Sequence, residues 1–142
     1  MIPVAKNEMD VEALRATFLF QGVDWVAAAS AIGSLNTSAC IFEDGEEIDV
    51  AGHGKRSLGV LVRGGARYGR IAEDGRITVA GTMKAGDVFG AATLYREGSK
   101  KYLQVQAQGE CRILFLEEAL FQQLFARFPQ ITENYLVYLT ER

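Results

Sequence analysis

The sequence predicts a mainly β protein: a jelly roll, or β-roll, flanked by N- and C-terminal helices. Three observations carry that prediction. Between Ala39 and Leu116 the apolar runs are short and stopped by glycines, the punctuation of a sandwich, barrel or roll. Within those runs apolar and polar residues alternate, as half-buried strands require. On either side the apolar residues instead recur every three or four positions, which is helix spacing. One domain is expected, with N-terminal helices over 1–38, the roll over 39–116 and C-terminal helices over 117–142.

The first helix is read from Val11, Leu14 and Phe18 behind Asp10, a residue type suited to the N-cap. Phe18 to Val23 forms an apolar turn stopped at Gly22, and an alanine-rich helix runs from Asp24 to Ile32. Trp25 on that helix reads as packing. The roll opens with a strand over Ala39–Glu43 and the acidic turn Asp44-Gly45-Glu46-Glu47. Ser57–Arg63 follows and stops at Gly64-Gly65. Ala66–Ala72 and Arg76–Met83 flank Glu73-Asp74-Gly75, a hairpin loop with an Asp-Gly signal. Over Tyr102–Gln108 the alternation puts Leu103, Val105 and Ala107 inward and Gln104, Gln106 and Gln108 outward. Cys111–Leu116 is apolar on both faces, a buried strand.

Helix spacing returns with Leu120, Phe121, Leu124, Phe125 and Phe128, after Glu117-Glu118, which suit a helix start. Pro129 ends that helix and opens the next at its first position. Ile131, Tyr135, Tyr138 and Leu139 line one side of this last helix. They predict an exposed apolar stripe and a dimer built on it.

Composition narrows the function classes. The 142 residues are 49% hydrophobic and 23% charged, an ordinary globular balance. Formal net charge is −3, from 15 Lys and Arg against 18 Asp and Glu, which argues against direct nucleic-acid binding by these residues. No apolar run approaches the roughly 18–20 residues of a membrane span, and the first residues lack the pattern of an export signal. The expectation is a cytoplasmic protein with no membrane partner. Cys40 and Cys111 read as buried thiols. With one histidine, His53, in a loop between strands, no metal or other cofactor is expected. A metal-holding enzyme on a similar roll needs two histidines, and His53 has no nucleophile in an elbow-like context, so no enzyme is expected.

The most specific stretch is Gly86-Asp87-Val88-Phe89-Gly90-Ala91-Ala92, a glycine turn of the kind that aims backbone N–H groups at an anion. It stands in order with Leu19-Phe20-Gln21-Gly22-Val23, Phe42-Glu43-Asp44-Gly45-Glu46-Glu47-Ile48, Leu61-Val62-Arg63-Gly64 and Phe128-Pro129-Gln130-Ile131. With these five pieces the chain, from Leu14 to Arg142, resembles the cyclic-nucleotide-binding (effector) domain of the Crp/Fnr family of bacterial transcription regulators. The resemblance implies an eight-stranded jelly roll, dimerisation through a helix starting at Pro129, and a DNA-reading helix-turn-helix beyond Arg142. The sequence then reads as the ligand-sensing and dimerisation half of such a regulator. The alternative is a stand-alone interaction or regulatory module that keeps the fold without a ligand or DNA-binding domain.

In family members that bind nucleotide, a glutamate after the second glycine takes the ribose hydroxyl. An arginine some ten residues on grips the cyclic phosphate, and a small hydroxyl residue follows it. Here Ala91 stands at the glutamate position, Lys101 at the arginine and Tyr102 at the hydroxyl. Ala91 accepts nothing, Lys101 keeps charge without the planar fork, and Tyr102 adds bulk. The combined loss is on the order of 3 kcal/mol, about a hundredfold in affinity. Usual cAMP or cGMP binding is therefore not expected. Two outcomes stay open: another small anion met at the degenerate cassette (Phe89, Gly90, Ala91, Ala92, Lys100, Lys101 and Tyr102), or a roll kept without a ligand. Arg67, Arg70 and Arg96 read as solvated arginines on strand ends and loops.

Overall fold

A computed structural model describes residues 1–32, 37–48, 57–90 and 103–140. Among the described residues seven strands form one antiparallel sheet in the order β1-β2-β7-β4-β5, with β3 also pairing β7 and β6 pairing β4. They are β1 (Ile2–Val4), β2 (Thr37–Phe42), β3 (Glu47–Ile48), β4 (Ser57–Ile71), β5 (Ile77–Lys84), β6 (Val88–Phe89) and β7 (Leu103–Glu117). Helices α1 (Glu8–Arg15), α2 (Trp25–Ile32), α3 (Glu118–Arg127) and α4 (Pro129–Thr140) flank the roll, and a 3-10 turn covers Phe18–Phe20. No helix among the described residues is long and apolar enough to cross a membrane.

The backbone of the roll is the β4–β7 pair, each strand 15 residues long. The expected break at Gly64-Gly65 is instead a bulged bend inside one continuous strand, with register shifts between Leu61 and Arg63 and between Arg63 and Gly65. Gly64 has φ +89°, and a Cβ there would lie 2.5 Å from the Glu110 carbonyl oxygen, so only glycine fits the bend. Cys111–Leu116 likewise belongs to the same strand as Leu103–Gln108.

Two cores result. On the outer face, Leu58, Val60, Leu114 and Leu116 pack under Leu14, Leu19, Ala28, Ile32, Leu120 and Leu124 from the helices. Inside the roll, Cys40, Phe42, Ile48, Leu61, Ala66, Phe89, Val105, Ala107, Cys111, Ile113 and Phe115 pack together. For Val105, Ala107 and Gln106 the assignment of β7 holds: Val105 and Ala107 are buried, while the Gln106 amide reaches outward to the Gly45 carbonyl oxygen; the Leu103 side chain lies outside the described residues.

Three expectations are corrected. The chain opens with an edge strand, β1, whose Pro3 opposes Cys40 in β2; proline is tolerated at an edge because no further strand needs its N–H. Asn7, not Asp10, caps α1, and Asp10 closes the capping box from the third helical position. Finally, α4 does not present its stripe to solvent. Ile131 is fully buried and Tyr135 nearly so. Tyr135 lies among the Phe121 and Phe125 rings, at centroid distances of 6.3 and 5.7 Å. Tyr138 stacks on Phe18 at 4.1 Å. Of the four residues assigned to a dimer contact only Leu139 is exposed, because α4 folds back onto α3 and the 3-10 turn.

Candidate functional site

The glycine turn leading to β6 is held to β4 by reciprocal bonds. Gly86 N donates to Leu61 O at 2.8 Å, and Leu61 N donates to Asp87 O at 3.0 Å. Asp87 N donates to Lys84 O at 3.0 Å, while its carboxylate accepts from Lys84 N at 2.9 Å. Gly86 and Gly90 take positive φ, +98° and +87°. The turn therefore spends the Gly86 and Asp87 amides inside the fold; neither is left to hold an anion.

β6 pairs with β4 at Gly59↔Phe89 and Val60↔Val88. The Phe89 ring, 4% exposed, lies flat against Gly59: a Cβ on that glycine would sit 2.3 Å from Phe89 Cζ. Of the cassette residues named from sequence, the structure buries Phe89 in the inner core and leaves Gly90, which follows it, half-buried. Ala91, Ala92, Lys100, Lys101 and Tyr102 lie outside the described residues, as do His53 and Arg96.

The inner face of the roll follows from the strand register. Across β7, β4 and β5 the rows run Ala107–Ala66–Met83, then Val105–Tyr68–Gly81, then Leu103–Arg70–Thr78. The face is apolar at depth and polar at the rim. Tyr68 is half-buried against the inner core and Arg70 is exposed at the end of the same row. Arg67 lies on the opposite face, its Nε donating to Gln106 Oε1 at 2.9 Å. Reading Arg67 and Arg70 as one solvated group missed this difference; the strict alternation of Ala66, Tyr68 and Arg70 after the glycine bend was the available signal.

The two thiols face the same inner core, Cys40 opposite Ile113 and Cys111 opposite Phe42. Burial, with the Glu110 carboxylate beside it, pushes the Cys111 thiol up to about 11, and burial raises Cys40 as well. Such thiols are packing groups rather than nucleophiles at neutral pH. Among the described residues no three His, Cys, Asp or Glu side chains are placed to hold a metal ion.

Residues 39–128 match the family model described as cyclic nucleotide-binding domain. The chain belongs to that family. Solved structures of similar fold include the catabolite activator protein of Thermus thermophilus, with TM-score 0.74 and 22% identity over 89% of this chain and 58% of that one. The sensor domain of the transcriptional regulator DNR from Pseudomonas aeruginosa has TM-score 0.71 and 13% identity over 92% of this chain and 86% of its own. The N-terminal domain of a Streptomyces coelicolor A3(2) transcriptional regulator has TM-score 0.68 and 21% identity, over 92% and 91%. The likeness at these identities is one of fold, and the chain spans 58% of the length of the Thermus thermophilus protein. Among curated proteins none matches the sequence.

Proposed function

We propose that this chain is the ligand-sensing and dimerisation domain of a cytoplasmic transcription regulator of the Crp/Fnr type, one that does not take up cAMP or cGMP in the usual way. It is a binding domain and not an enzyme; any DNA contact belongs to a helix-turn-helix domain outside residues 1–142. The observation that carries this reading is the family match across the roll, together with structural neighbours that are the sensor domain of one transcriptional regulator and the N-terminal domain of another. The departure from nucleotide binding rests on Ala91, Lys101 and Tyr102, which lack the acid, the fork and the small hydroxyl of the nucleotide cassette.

Calorimetric titration of cAMP and cGMP tests it. The expected dissociation constants are about millimolar or weaker, and the triple variant Ala91→Glu, Lys101→Arg, Tyr102→Ser should bind more tightly. Saturable binding at micromolar concentration would overturn the ligand part of this reading. A native reading frame that stops at Arg142 would overturn the regulator part in favour of a stand-alone interaction module.

A further inference from the structure

We propose that the free edge of β5 is a docking site for an extended, acid-ended peptide of another protein, which joins the sheet as a further antiparallel strand. The Ile77–Lys84 backbone supplies the hydrogen bonds, and Arg76 and Lys84 receive the acidic ends. This docking is independent of the sensor reading above and lies off the inner face of the roll.

The two ends of the strand order differ. β1 ends it on one side with three residues, and Pro3 in its middle has no N–H to offer a further strand. β5 ends it on the other side with eight residues, and among the described residues it pairs only with β4. That strand holds no proline, and its only charge is the terminal Lys84, so the usual safeguards of an edge are sparse. Ala72 N donates to Arg76 O at 2.9 Å, and from there the antiparallel ladder alternates. Ile77 and Val79 therefore turn their N–H and C=O groups away from β4, to the open edge. Ile77 is 49% exposed and lies over Gly69, where a Cβ would come 2.8 Å from its Cγ2. A docked strand covers it. The register shift leaves Ala80 unpaired, so such a strand matches Ile77–Val79 before the bulge and Gly81–Lys84 after it.

Charge decides what kind of strand fits. β4 and β5 together carry Arg63, Arg67, Arg70 and Lys84 and no Asp or Glu. Glu73 and Asp74 lie in the hairpin loop beyond the edge. The Arg76 guanidinium, at the head of β5, meets the exposed Asp74 carboxylate at 3.1 Å, a surface pair of little worth. At the other end the Asp87 carboxylate accepts from the Lys84 backbone N–H at 2.9 Å. Two copies of β5 paired antiparallel over Ile77–Lys84 would set Arg76 of each beside Lys84 of the other, like against like at both ends. A strand with Asp or Glu at its ends meets the same two cations favourably.

The test is an NMR titration of the intact chain with the end-blocked peptide Glu-Thr-Val-Thr-Val-Thr-Glu. Amide shifts should centre on Ile77 and Val79, and the peptide should bind roughly tenfold or more tightly than its counterpart with Lys at both ends. The acidic peptide with methylated amide nitrogens, which cannot donate to the edge, should not bind. Ile77→Pro removes one outward N–H at the first residue of the strand, where proline is tolerated. It should abolish binding with circular dichroism unchanged. Arg76→Glu with Lys84→Glu, both at exposed positions, should turn the preference toward the Lys-ended peptide whether or not the proline variant folds. Failure of the acidic peptide to bind, shifts centred elsewhere than β5, equal binding of the two peptides, or binding that survives these substitutions overturns the proposal. So does a dimer in sedimentation that Ile77→Pro breaks and the acidic peptide leaves intact, which would give the edge to a second copy.

Discussion

Asp10 and Arg112, 102 residues apart in sequence, join the first helix to the central strand of the roll through two parallel hydrogen bonds. Arg112 Nε donates to Oδ1 at 2.6 Å and Nη2 to Oδ2 at 2.7 Å, and Nη2 also donates to the Ala5 carbonyl oxygen at 2.9 Å. Asp10 is fully buried, and its Oδ2 also accepts from the Asn7 backbone N–H at 2.8 Å. Such a pair is worth less than its geometry suggests, because both charges were desolvated to make it; breaking it from one side is what costs.

Asp10→Asn should therefore destabilise the chain by about 3 kcal/mol, measured by urea unfolding, since Arg112 loses its counter-charge. Burial raises the Asp10 carboxyl, but the Arg112 and Asn7 hydrogen bonds and the positive charges of Arg112 and Lys6 outweigh it and hold the group below its free value of 3.8. With a lowered folded pKa, its stabilisation is full above 3.8 and is lost as the pH falls through the folded value. Asp10→Asn should lack that part of the acid dependence. Wild type and variant losing stability in parallel below pH 3.8 would contradict the assignment.

How much of this was legible in the sequence differs residue by residue. The Gln104–Gln108 alternation and the Leu120, Leu124 stripe could be read because local periodicity reports directly which side is buried. Asp10 could not be placed, since an acid near a helix start reads as a cap unless its partner on a distant strand is known. Ile131 and Tyr135 failed for a related reason: an apolar stripe has the same pattern whether its own chain or a second copy covers it. Arg70 was read as solvated and is exposed; that it shares a face with Ala66 and Tyr68 was legible in their alternation after the glycine bend. Phe89 and Gly90 were found through the glycine turn, yet the turn's use of its own amides was not visible from residue types.

Gly59→Ala should disturb the inner core through Phe89, the first residue of the cassette. The new methyl carbon would meet three atoms of the Phe89 ring at 2.3, 2.6 and 2.7 Å, and that ring is packed inside the inner core. The expected cost is about 1–3 kcal/mol from overpacking. Adding Phe89→Leu should recover part of it, a coupling that a double-mutant cycle in denaturant would measure. Additive effects would show that ring and glycine do not share the space.

Asn134 is the joint between the last helix and the turn before α2. Its Nδ2 donates to Leu19 O at 2.8 Å and Gln21 O at 2.9 Å, while its Oδ1 accepts from Gln130 Nε2 at 3.0 Å. Asn134→Asp is nearly isosteric but has no N–H to give, and it sets a carboxylate against two carbonyl oxygens. It should cost at least as much as Asn134→Ala, about 1–3 kcal/mol, and should raise hydrogen exchange in α4 before the sheet. Uniform exchange across both would mean that α4 is not separately latched.

The exposed side of α4 separates association from folding. Leu136, Val137 and Leu139 are 56, 45 and 37% exposed, whereas Ile131 and Tyr135 sit in the helix-side core. Adjacent exposed apolar residues on a terminal helix favour a self-complementary contact. If the domain dimerises through α4, these are the residues that meet. Leu136→Glu with Val137→Glu should shift sedimentation toward monomer while leaving the unfolding midpoint of the isolated protomer within about 0.5 kcal/mol of wild type. Ile131→Ala should do the reverse, costing about 2–5 kcal/mol through the cavity it leaves without acting on the contact directly. A dimer that survives the double glutamate variant at the same concentration would place its interface elsewhere than on this face.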